Sequence, residues 1–401
     1  LRPSAAADRD LARFDRAFAT VDAPFAFVDL DALRSNARRM LALAGSKPIR
    51  IATKSVRSRP LLARLLELDE RFRGLLAFTL PEALWLADHG FDDIICAYPT
   101  ANRSALHALA RCQHERPPIV VCDSPAQLDL LAEAARGGRP IRVCIEIDLS
   151  LPLLGGAVRI GARRSPIRSA AAARALAEEV VRRPQLELAA VMSYEAQIAG
   201  VPDVPAGKRL AAPLVAWIKR RSRAYVRELR AECVAAIREV ADVAIVNGGG
   251  TGSLASSASE AVVTEVTAGS GFYAPALFDG YRDLALRPAA FFALPVVRKP
   301  DRATATLLGG GYIASGPAGR DRLPVVYAPS GLRFDPLEGA GEVQTPVRGR
   351  AARSLRVGDH VYLRHAKAGE LCERFASLLL LDGERVVDEV PTYRGEARCF
   401  L

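Results

Sequence analysis

Between residues 49 and 268 the chain repeats one alternation: a short apolar run, then a stretch with helical spacing. The short runs are Ile49–Lys54, Leu75–Thr79, Asp93–Tyr98, Pro118–Asp123, Arg142–Asp148, Leu186–Tyr194, Val243–Asn247 and Val262–Thr267. Each is rich in Val, Ile or Leu, as expected of strands buried on both faces of a parallel sheet. Between most of them lie Ala/Leu/Arg-rich segments, among them Arg59–Leu68, Pro81–His89, Ala126–Ala135, Ala170–Arg182 and Ala212–Val240. Eight strands alternating with helices predict an α/β architecture, a (β/α)8 barrel over residues 29–284. An open doubly wound sheet is the main alternative. After about residue 285 helical periodicity fades. Strand-like runs follow at Phe291–Val297, Thr304–Leu308, Val325–Ala328, His360–Arg364 and Leu378–Leu381, separated by Gly, Pro and Asp turns. This predicts a C-terminal β domain over 285–401, with residues 1–28 packing on that domain or bridging to it.

Composition narrows the function classes. The chain is 50% hydrophobic and 25% charged, normal for a soluble globular enzyme. No apolar run reaches membrane-spanning length, and the stretch Leu1–Asp8 lacks a signal-peptide hydrophobic region. The seven cysteines are odd in number and form no CxxC pair. That pattern predicts a reducing cytoplasm rather than a disulfide frame or structural zinc. The net charge of +10 includes clusters at Arg163-Arg164 and Lys219-Arg220-Arg221, but no nucleic-acid recognition motif or aromatic interleaving accompanies them. They read as a solvated basic face that attracts an acidic substrate.

The lysines carry more information. There are six, at 47, 54, 208, 219, 299 and 367, against 49 arginines. An arginine stays protonated, whereas a lysine in a site can lose its proton and attack a carbonyl. Lys54 closes the first strand-like run, at the barrel end where active sites lie. Two glycine loops follow the seventh and eighth runs: Asn247-Gly248-Gly249-Gly250-Thr251-Gly252-Ser253 and Ala268-Gly269-Ser270-Gly271-Phe272-Tyr273. Glycines let backbone N–H groups approach an anion, hydroxyls add donors, and barrels of this class bind phosphate at these two loops. Neither loop is GxxxxGK[ST], which argues against a nucleotide P-loop.

Together these residues resemble the fold-type III pyridoxal-phosphate enzymes. The resemblance is to the D-threonine aldolase/D-serine dehydratase family, whose barrel is that of alanine racemase, and within it to the bacterial branch described as amino acid deaminase/aldolase. It covers about residues 20–400. The lead-in Ala23–Leu33 with Asn36 looks like that family's own. Lys54 matches its Schiff-base lysine, and Arg159, after Ile147-Asp148, matches the arginine that approaches the cofactor ring oxygen. Tyr194 matches the tyrosine facing the ring. Gly249, Gly250, Thr251, Gly252, Gly269 and Ser270 match the phosphate clamp. The resemblance implies pyridoxal 5'-phosphate as cofactor and a D-amino acid as substrate, its β-hydroxyl lost by dehydration/deamination or its Cα–Cβ bond cleaved as in a retro-aldol reaction. It also implies a homodimer in which the β domain of one subunit covers the barrel mouth of the other, so that His365 acts on the partner subunit's Lys54.

Two positions depart from the family pattern. Its β domain supplies a His and, two residues later, an acidic residue or Cys that bind a divalent metal. Here His365 is followed at that spacing by Lys367, which would repel a cation. Either Cys372 returns to give a His365/Cys372 metal pair, or the Lys367 ammonium stands where the metal would be. In the second case His365 and Lys367 polarise or protonate the substrate hydroxyl. The second departure is Gln197, near where the aldolases place a His base; an amide is no general base. A racemase of the same fold, with Tyr312, Tyr327 or Tyr362 as its acid, and a non-catalytic cofactor-binding protein are the other readings.

Overall fold

The computed structural model describes residues 5–205, 209–317 and 319–401. The eight expected runs are the eight strands of a closed barrel: Ile49–Ala52, Phe72–Ala77, Ile94–Cys96, Ile119–Cys122, Ile141–Ile147, Leu186–Ser193, Ile245–Gly248 and Glu265–Ala268. All neighbours are parallel, and the eighth strand closes on the first with Val266 opposite Ile49. The open-sheet alternative is thereby excluded. Helices at Arg59–Glu67, Leu80–Asp88, Pro125–Ala134, Ala170–Val181 and Ala212–Arg238 wrap the outside, close to the expected spans. Their starts are set locally. Thr79 and Ser169 accept N–H bonds from Glu82 and Ala172, and prolines fill the first turns of four of these helices. Helix Arg103–Arg111, capped by Asn102, completes the third crossover.

Inward-facing Ile95, Ile119, Val121, Cys144, Ala190 and Met192 form a core of their own, distinct from the larger core between strands and helices. Arg50, also inside, is fully buried and donates to both Glu265 oxygens (2.6 and 2.9 Å) and to Asp93 (2.9 Å). Asn247 and Thr267 extend this network towards the mouth of the barrel.

The β domain is a nine-stranded sheet that both ends of the chain build. Strand Phe25–Asp29 lies in its middle, antiparallel to Ala290–Asp301 and parallel to Ser377–Asp382. Helix Ala5–Ala17 covers it, packing Phe14 and Phe18 on Phe27. Phe14 also meets Phe291 and Tyr362. Helix Leu30–Ala44 then leads into the barrel, capped by the Asp29 carboxylate (3.0 Å from Ala32 N). The expected strands Thr304–Leu308, Val325–Ala328 and His360–Arg364, with Leu332–Phe334, Gln344–Gly349 and Arg385–Pro391, complete the sheet. Among the described residues no helix is long and apolar enough to cross a membrane.

Candidate active site

The C-terminal ends of the barrel strands open into a cavity of about 380 Å³, where residues from most of the strands and from the β domain converge. Lys54 enters it from a 3-10 turn, Thr53–Ser55, that follows the first strand. Its Nζ donates to Tyr98 Oη at 3.1 Å. Tyr98 comes from the loop after the third strand, and the Arg164 guanidinium lies 5.8 Å from its ring centroid. Burial pushes the Tyr98 phenol up, but the charges of Lys54 and Arg164 outweigh burial and hold it below the ordinary value.

The turn bearing Lys54 is fastened from behind by the second glycine loop and by the β domain. Tyr273 donates to Val56 O at 2.8 Å, Cys372 Sγ to the same oxygen at 3.3 Å, and Tyr393 N to Arg57 O at 2.8 Å. Arg57 is paired with Glu373. A Cβ at Gly369 would stand 2.7 Å from Lys54 O, so the β domain meets this turn backbone to backbone.

The two glycine loops form the neighbouring wall. Gly249, at φ +91°, turns the chain as only glycine does readily. The N–H of Gly249 donates to Glu195 (3.3 Å) and that of Gly250 to Ser253 Oγ (3.0 Å). The Gly271 N–H ties the two turns together by donating to Thr251 Oγ1 at 3.1 Å. The amides of Thr251 and Ser270, which open turns Thr251–Ser253 and Ser270–Tyr273, have no acceptor within their own turn and are candidate donors to an anion. Ser55 and Ser270 share a hydroxyl bond of 2.9 Å beside them. Side chains are excluded here. A Cβ on Gly250 would lie 3.0 Å from Tyr194 Cε2, and one on Gly269 would lie 2.6 Å from Ala52 O. Behind the cradle, buried Glu195 takes a bond from Arg230 (2.8 Å) and one from Ser257.

The model for the alanine racemase N-terminal domain matches residues 28–275 of this chain. The chain belongs to that family. None of the curated protein sequences compared with this alanine racemase-family chain matches it. Solved structures match its fold. D-threonine aldolase from Filomicrobium marinum superposes with a TM-score of 0.78 at 21% identity, over 94% of this chain and 96% of that one. D-threo-3-hydroxyaspartate dehydratase from Delftia sp. HT23 gives 0.71 at 20% identity, over 94% and 98%. Alanine racemase of Clostridium difficile 630, in complex with cycloserine, gives 0.60 at 15% identity, over 93% and 99%.

Within this racemase-type barrel, Lys54, Tyr194, Gly249, Gly250, Thr251, Gly269, Ser270 and Lys367 all line the one cavity. Four expected residues do not. Arg159 sits on the hairpin Leu151–Leu153/Val158–Ile160, outside the lining, and it is Arg164, past that hairpin, that reaches the cavity. Gly252 is fixed by packing instead, since a Cβ there would lie 2.6 Å from Tyr281 Cε1. His365 is buried with Nε2 2.6 Å from Ala368 O, and burial pushes its pKa down to about 4. Cys372 is spent on Val56 O, and burial raises its thiol to about 12. Among the described residues no group of three or more His, Cys, Asp or Glu is placed to hold an ion. Gln197 likewise faces away, donating to Leu149 O at 2.8 Å.

Sequence reasoning passed over Tyr98, Glu146 and Arg322 and placed Arg164 only in a solvated basic cluster, yet all four line the cavity. Burial, then the nearby Asp123 charge, raises the Glu146 carboxyl to about 7. The residues present fit a phosphorylated aromatic aldehyde. An amine and a cradle too tight for side chains share the lining with Tyr194 and Tyr98, two rings able to flank a third.

Proposed function

We propose that this chain is a pyridoxal 5'-phosphate-dependent lyase acting on D-amino acids that carry a β-hydroxyl, by dehydration and deamination or by retro-aldol cleavage. One observation carries the reading: the Lys54 amine lies in the same cavity as both glycine loops, hydrogen-bonded to Tyr98. The names of the aldolase and the dehydratase that share the fold agree with it.

When bound, pyridoxal phosphate supplies the electron sink for charge developing at Cα. The protein's part is positioning and proton transfer. The amides opening the two turns and the Ser55, Thr251 and Ser270 hydroxyls would hold the phosphate, Lys54 the aldehyde, and Arg164 and Tyr194 the ring. Lys54 Nζ would take the proton from Cα. Tyr98, already bonded to that nitrogen, is the group placed to give or take the proton at the β-oxygen. Phe278 and Tyr281 add aromatic surface to the cavity wall. A racemase reading draws nothing from the tyrosines it would need. Tyr327 and Tyr362 are bonded to Asp10 and Asp15 of the N-terminal helix, and Tyr312 packs on Phe292 and Phe375.

We also take the enzyme to be cytoplasmic, which its seven free cysteines support, and homodimeric, which light scattering would test. In this chain Lys367 and Lys54 line one cavity together, and mixing Lys54→Ala with His365→Ala subunits would test whether His365 acts on the partner subunit's Lys54.

The test of function has two parts. Protein reconstituted with pyridoxal phosphate should absorb in the visible, and borohydride should bleach the band and leave a pyridoxyl group on Lys54 by peptide mapping. Lys54→Arg should lose the band while keeping the charge. A panel of D- and L-β-hydroxy amino acids, with ammonia and aldehyde assayed in parallel, should then give product from D substrates. Labelling at Lys47 or Lys219, or turnover confined to L substrates, would refute the reading.

A further inference from the structure

Four cations line the cavity, Lys54, Arg164, Arg322 and Lys367, and among its lining residues the sole carboxyl is Glu146. Two of the four come from the β domain and sit together. Lys367 Nζ is held only by neutral acceptors, Ser315 O at 3.3 Å and Ser315 Oγ at 3.2 Å. Glu370 nearby directs both carboxylate oxygens at Ser315 N, 3.2 Å away. Arg322 has no hydrogen-bond acceptor for its buried Nε and Nη1 among the described residues. Its one ion-pair partner among the described residues, Asp321, is 41% exposed and reaches Nη1 only at 3.5 Å. The chain bends to admit this guanidinium: at Gly316, φ +118°, a Cβ would come within 3.0 Å of Arg322 Nε. Buried N–H groups of an arginine left without an acceptor are costly unless a ligand satisfies them.

Charge accounting, resting on the lyase reading above, says which ligand. The cofactor engages the glycine cradle, Lys54 and Arg164. Arg322 and Lys367 remain, two positive charges against the single negative charge that one α-carboxylate brings. We propose that Arg322 and Lys367 form an anion subsite on the β-domain wall that takes a second, side-chain carboxylate, so that the preferred substrates are acidic D-amino acids. A planar guanidinium beside an ammonium suits a carboxylate, bidentate on the arginine and charge-matched on the lysine.

The experiment compares succinate with butyrate, which match in carbon number and differ by one carboxylate. Binding to the cofactor-loaded protein is measured by calorimetry in phosphate-free buffer. Succinate should bind at least tenfold more tightly. Arg322→Met and Lys367→Met should each abolish that preference with little change for butyrate, and Arg322→Lys should restore part of it. In turnover, the ratio of kcat/KM for D-threo-3-hydroxyaspartate over D-threonine should fall at least tenfold in Arg322→Met, chiefly through KM. Equal binding of the two probes, or equal loss of both in the variants, would overturn the subsite and leave the lyase reading standing. A succinate preference lost in both variants, with no product from any D substrate, would support the subsite and count against the lyase reading.

Discussion

Tyr98 lies within reach of two cations, and its hydroxyl accepts the Lys54 hydrogen bond. Tyr98→Phe keeps the ring and removes that oxygen. We expect kcat to fall by about 10²–10⁴-fold, the usual span for a lost acid–base group, with the visible cofactor band retained; steady-state kinetics alongside a spectrum would show it. Nothing in the sequence marks such a tyrosine, because an aromatic closing an apolar strand is usually core. Arg159 shows the opposite difficulty. Counting along the chain from Asp148 finds an arginine, but the hairpin over 151–160 carries it away and leaves the cavity to Arg164. His365 reads from sequence as a site residue and is a core one. Its ordinary value near 6.5 falls to about 4 in the folded chain because burial disfavours the charged ring. The unfolded chain therefore binds more protons between those values, and stability should fall as pH drops from about 6.5 towards about 4. Melting temperatures measured over that window should show the fall, and His365→Gln should flatten it.

Among the elements, the barrel strands were legible because burial on both faces writes an uninterrupted apolar run. The strand Arg385–Pro391 was not, since most of its side chains face solvent at the sheet margin, and Phe25–Asp29 reads equally well as the lead-in to a helix. Helix Arg103–Arg111 was passed over, although it is as long as Arg59–Glu67 and Leu80–Asp88, which were expected. The first glycine loop was legible in composition, but its reasons differ from glycine to glycine. Gly249 needs its backbone angle, Gly250 needs the space beside Tyr194, and Gly252 needs the space beside Tyr281. Gly250 has an extended backbone, so Gly250→Val strains no dihedral and acts through contact alone. We expect cofactor affinity to drop more than tenfold with the melting temperature little changed. Equilibrium dialysis and thermal unfolding would separate the two effects.

At the scale of the molecule, the β domain is not an appendix to the barrel, because strand Phe25–Asp29 lies between Ala290–Asp301 and Ser377–Asp382. A chain ending at 284 would expose Phe14, Phe18, Phe25 and Phe27. Each such side chain contributes about 1.5–3 kcal/mol when buried, and four together rival the roughly 5–15 kcal/mol of a whole domain. That fragment should be insoluble or fail to hold cofactor, which expression and sedimentation would report. The contact of Gly369 with the Lys54 turn, where not even a methyl group fits, bears on how such a molecule can change over time. The seam between barrel and cover is a weld rather than a hinge, and any drift of the cover drags the reactive amine with it. New specificities in a chain built this way must come from side chains on the walls, while the two walls themselves descend as one piece.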